Sequence, residues 1–139
     1  MTRPFSESFA GLDDAVGVAG TYQPARWADS PALSMVTAVN GAALGLQLSG
    51  TYFVAVRLRV DGAAGVTGVR SVLTLGDGRQ LYLWDPGALG PGSTRTVRAS
   101  ASFFYEGLQP KLLSFDWTTD GGTGSMVGAD SSFDVAFLG

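Results

Sequence analysis

No stretch of this chain restricts its possible folds as much as Gly50-Thr-Tyr-Phe-Val-Ala-Val-Arg-Leu-Arg-Val-Asp-Gly62. Tyr52, Val54, Val56, Leu58 and Val60 recur at period two, which lines one face of an extended strand with apolar side chains, and glycine closes each end. The opposite face, Thr51, Phe53, Ala55, Arg57 and Arg59, begins apolar and ends cationic. A wholly apolar face must lie on a core. A second face that is half apolar points to a neighbour on that side as well.

The same punctuation recurs through the rest of the chain. Residues 15–22, 33–39, 42–48, 66–75, 79–85, 96–105, 111–118 and 132–138 alternate in the same way and end at Gly, Pro or Asp, with Asn40-Gly41 as a hairpin turn. Glycines at 17 and 20 and Pro24 make residues 15–22 an expected edge strand. No 3.6-residue period persists beyond a turn or two, and no internal repeat is evident. Short strands at such spacing predict an all-β, single-domain antiparallel β-sandwich or barrel. Val56, Leu58, Leu113, Phe115, Phe133 and Val135 sit mid-strand on apolar faces and are expected in its core, as is Trp117. Residues 1–13 lack a sustained period and read as an extended N-terminal arm preceding a sandwich domain over 14–139.

Composition removes whole classes of chemistry. The 139 residues contain no cysteine and no histidine, so disulfides, thiolate metal sites, ordinary zinc sites and Ser-His-Asp or Cys-His catalysis are all excluded. The net charge is −3 and Lys111 is the sole lysine, so no basic stripe is available for nucleic acid. The N-terminus has no apolar run behind it, and nowhere do about 18 apolar residues follow one another, so neither an export signal nor a membrane-spanning segment is expected.

Several remaining groups are candidates on chemical grounds. Two of the carboxylates Asp77, Asp85, Glu106, Asp116, Asp120, Asp130 and Asp134 could form a glycosidase pair, but most adjoin glycine or proline, where aspartate simply favours a turn. The loop from Asp120 to Asp130 has oxygen ligands for Ca²⁺ yet lacks the register of a dedicated site. Gly122, Gly124 and Gly128 precede no helix and form no nucleotide fingerprint. No catalytic, cofactor or metal residues are therefore assigned. Trp27, Trp84 and Trp117, with Tyr22, Tyr82 and Tyr105, could supply stacking platforms, and Trp84 beside a Pro-Gly loop is the strongest of them.

Two segments carry a resemblance. Gly50-Thr-Tyr-Phe-Val-Ala-Val resembles the glycine-x-tyrosine central strand of the C1q and tumour-necrosis-factor jelly rolls, and Ser132-Phe-Asp-Val-Ala-Phe-Leu138 resembles their closing strand. In that last strand Asp134 and Val135 stand where the family usually has phenylalanine and glycine. The resemblance implies a jelly roll that packs as a homotrimer, with the sheet holding Phe53, Ala55, Arg57 and Ala136 turned to the threefold axis. A small, acidic, cysteine-free chain of this kind is also similar to the head-decoration proteins of tailed bacteriophages. That likeness implies a virion protein on the capsid surface, non-enzymatic and without cofactor, whose partner is the major capsid protein. In this reading Arg3, Pro4, Phe5 and Phe9 of the arm grip the capsid. An alternative from the same fold class is a tail-fibre tip or receptor-binding knob recognising a host glycan; a carbohydrate-active β-sandwich enzyme is a third.

Overall fold

The computed structural model describes residues 4–15, 20–28, 36–39, 41–107 and 111–139. Its strands are β1 (Phe5–Ala10), β2 (Asp14–Ala15), β3 (Gln23–Pro24), β4 (Val36–Val39), β5 (Ala43–Leu46), β6 (Gly50–Asp61), β7 (Gly68–Thr74), β8 (Gln80–Pro86), β9 (Thr94–Tyr105), β10 (Lys111–Asp120), β11 (Ser125–Met126) and β12 (Ser132–Phe137). A single 3₁₀ turn, Gly128–Asp130, is the helical element among the described residues. The strands form two antiparallel sheets. In the first, β1, β12, β6 and β9 lie side by side, with β11 and β2 continuing the β12 side of β6; in the second the order is β4, β5, β10, β7, β8, with β3 beside β10. The first strand thus pairs with the last, and the architecture is the expected jelly-roll sandwich.

Period two decides what lies between the sheets. Tyr52, Val54, Val56, Leu58 and Val60 are each no more than 2% exposed, and the facing sheet contributes Val69, Leu73, Leu113, Phe115 and Trp117, all equally enclosed. Phe133 and Val135 complete the layer from β12, so the whole expected core is buried. One row of this layer is aromatic from edge to edge. Phe5 lies opposite Phe137, Phe137 opposite Tyr52, and Tyr52 opposite Phe103, in strands β1, β12, β6 and β9. Ring centroids along the row are 5.3, 5.1 and 5.5 Å apart. Gly50 makes the row possible: its φ is 150°, and a Cβ there would stand 2.5 Å from the Phe137 ring.

The structure corrects the N-terminal arm. Phe5–Ala10 is the edge strand of the first sheet, in register with β12 from Phe5↔Phe137 to Ala10↔Ser132. Phe9 is fully buried and Phe5 is half-buried against Phe137. Backbone pairing to β12 satisfies the strand's polar groups on one side, and burying two phenylalanines rewards the ordering. The boundary drawn at residue 13 therefore divides no separate units. Other differences are smaller. The expected strand 15–22 reduces to β2, with Gly20, Thr21 and Tyr22 outside any strand and residues 16–19 outside the described residues. Asn40 also lies outside them, yet the hairpin stands: Val39 faces Ala43, and Gly41 has φ 70°.

Two outcomes test this packing. Phe115→Ala leaves a cavity at the centre of the layer and is expected to cost about 3–5 kcal/mol in denaturant unfolding; a loss under about 1 kcal/mol would refute the placement. Glu7 shares the inward face of β1 with Phe5 and Phe9, is 5% exposed, and neither carboxylate oxygen has a partner among the described residues. Burial pushes its pKa up from the ordinary 4.5. The folded chain then holds a proton that the unfolded chain releases, so stability falls as pH rises from the ordinary value through the raised one. Glu7→Gln is expected to be more stable than the parent near neutral pH, with the difference shrinking as pH falls to about 4. Parallel urea midpoints across that range would contradict it.

Candidate functional site

The most distinctive surface is the outward face of the first sheet, set by the residues that alternate with the buried ones. Strand register arranges them in rows. Ser102, Phe53, Ala136 and Ser6 form one; Ser100, Ala55, Asp134 and Ser8 the next; Arg98, Arg57, Ser132 and Ala10 the third. Phe53 is 43% exposed, and Phe104, one step further along β9, is 56% exposed. Leu138 continues the apolar end just beyond β12, also exposed. The face thus grades from apolar, through small and polar, to cationic. Its middle is an open concavity of about 670 Å³ lined by residues from β1, β6, β9 and β12. The Ser8 hydroxyl donates to the Asp134 carboxylate across its floor.

Phe53, Ala55, Arg57 and Ala136, singled out from the sequence, do share this face, with Phe53 directly opposite Ala136. The proposed arm residues do not form a second one. Arg3 lies outside the described residues, Pro4 is exposed, and Phe5 and Phe9 point inward, so these two phenylalanines are unavailable to grip a partner. Phe104, Arg98 and Ser100 were not chosen from the sequence, and Asp134 was named there as a carboxylate, not as part of this face. The alternation that sends Phe103 inward sends Phe104 outward, but its place beside Phe53 depends on the β6–β9 register, a pairing across about 50 residues of chain.

Asp77, Asp85, Asp120 and Asp130 form ion pairs with Arg79, Arg95, Arg70 and Arg59. Asp116 is half-buried in the second sheet, and burial raises its pKa. Among the described residues no three carboxylates converge as a metal cluster. Trp27, counted from the sequence as a possible platform, is 1% exposed and packs edge-on against Phe133 at 5.4 Å, and Tyr105 is buried as well. Trp117 is buried as expected. Trp84 is 59% exposed beside Tyr82 at 67%; the Arg70 guanidinium lies 4.9 Å from its ring centre, and its indole N–H donates to Asp120 at 3.2 Å.

No protein-family model and no curated protein matches the chain. Solved structures do. Eiger TNF from S. frugiperda superposes with a TM-score of 0.68 at 15% identity, covering 99% of this chain and 94% of that one. The globular domain of zebrafish complement 1qA gives 0.58 at 14%, covering 95% and 97%. PRD1 vertex protein P5 gives 0.66 at 14%, covering 96% of each. At these identities what is held in common is the fold, and the chain is a jelly roll of the type found in TNF and C1q domains.

Proposed function

We propose that the chain is a non-enzymatic virion structural protein, a head-decoration protein that binds a phage capsid as a homotrimer and stabilises the lattice. The observation that carries this reading is the outward face of the first sheet, which leaves Phe53 and Phe104 in solvent at its apolar end. A monomer gains nothing from that exposure. Burying a phenylalanine fully is worth roughly 1.5–3 kcal/mol, and three copies meeting at this face bury both rings from each. The TNF- and C1q-type fold supports a trimer with this sheet at the axis. The likeness to a vertex protein supports the virion setting. With Phe5 and Phe9 committed to the core, contact with the major capsid protein falls to the exposed outer surface of the trimer.

A second reading, a receptor-binding knob that recognises a host glycan, has one observation in its favour: Tyr82 and Trp84 project together from β8. Co-sedimentation with expanded capsids, set against binding to host cells, separates the two. The decoration reading expects the first and no glycan preference; binding to cells without binding to capsids would overturn it. For the trimer itself, Phe53→Asp places a carboxylate in the contact and is expected to yield monomer or aggregate. Sedimentation equilibrium is the check, and a monomeric parent protein would sink the trimer reading.

A further inference from the structure

Arg57 and Arg98 stand directly opposite each other on β6 and β9, and directly opposed antiparallel residues have Cα atoms about 4.5–5.5 Å apart. Like charges so placed repel. The other arginines on strands, Arg59, Arg70 and Arg95, each reach a carboxylate, as does Arg79 beside β8. Arg57 and Arg98 reach none among the described residues; Asp134, the carboxylate one row away, lines the same concavity and accepts a hydrogen bond from Ser8. Both arginines line the same concavity as the Ser100 and Ser132 hydroxyls. In a monomer, water disperses their repulsion. In a trimer closed on this face, guanidinium pairs from three copies converge where water is thinned and charge interacts more strongly.

We infer that this row is an anion site: in the assembled trimer Arg57 and Arg98 hold a small tetrahedral oxyanion of the phosphate type close to the threefold axis. The inference rests on the trimer reading above. Guanidinium forks match such oxygens bidentately, the serine hydroxyls can donate to those left over, and an anion converts the repulsion into attraction. The site also gives assembly a dependence on the ionic surroundings that an all-apolar contact would lack.

The test uses the full chain at matched ionic strength, in chloride with and without inorganic phosphate, followed by sedimentation equilibrium. Phosphate is expected to lower the concentration of half-dissociation about tenfold or more, the effect of one well-made set of charge-assisted hydrogen bonds. The double variant Arg57→Gln with Arg98→Gln is expected to assemble without responding to phosphate, and at least as tightly as the parent in chloride. The paired Arg→Lys variant keeps the charge without the planar fork and is expected to lose most of the response. A wild-type trimer indifferent to phosphate, or an equal response in the glutamine variant, overturns the anion site and leaves the trimer standing. A monomer in both buffers overturns the trimer and the enclosed site with it.

Discussion

The first sheet depends on the contact between Gly50 and the Phe137 ring. Because Gly50 has no Cβ, that ring can lie over the start of β6 and meet Tyr52, which in turn meets Phe103. Each aromatic pair adds roughly 0.5–1.5 kcal/mol beyond the area it buries. The row also fixes register, because a slip of one residue on any strand would send its ring to the solvent face. Tyr52 carries the row's one hydroxyl into the interior, where it donates to the Leu48 carbonyl at 2.6 Å, and burial holds its pKa up at about 12. The glycine-x-tyrosine motif is therefore a packing device: the glycine makes room for the last strand and the tyrosine joins it to β9.

The same row explains why β1 belongs to the sheet, and why its membership was hard to read. Phe5 is the row's outer end, and Phe9 extends the inward face at period two. Between them stands Glu7, and a charge in the middle of a short apolar alternation hides the period. A carboxylate turned inward on an edge strand has a cost in stability. It also discourages another chain from pairing at that edge, because any partner strand would have to share the desolvated charge. The long strands β6, β9 and β10 carry no such interruption on their inward faces, and their alternation alone predicts the core.

Legibility of the candidate face follows the same division between local and non-local information. Which side chains on β6 face outward is a local fact, so Phe53, Ala55 and Arg57 could be read from alternation. Which residues stand beside them is a pairing fact. Arg98 meets Arg57, and Phe104 lies near Phe53, because β9 runs antiparallel to the full length of β6. Alternation within β9 states only that these residues share a face. The glycine-x-tyrosine resemblance supplied the missing topology, since it implies that the central and last strands share one sheet, as β6 and β12 do.

The two outward faces of the sandwich are finished differently, and the difference bears on how each is used. On the second sheet, Arg70 pairs with Asp120 and stacks on Trp84, and the sandwich margin closes its charges through Arg79 with Asp77 and Arg95 with Asp85. Exposed pairs of this kind contribute little to stability, but they leave few charges seeking a partner. On the first sheet the charge at the rim, Arg59, is answered by Asp130, while Arg57 and Arg98 nearer the centre have no carboxylate partner among the described residues, and two phenylalanines stand exposed beyond them. A surface selected only for solvation would neither leave an opposed cationic pair unanswered nor keep large rings in water. Exposed rings occur on the second sheet too, at Tyr82 and Trp84, but only on the first sheet do they accompany an opposed cationic pair, and there both are relieved together if that face closes on further copies of itself around an anion.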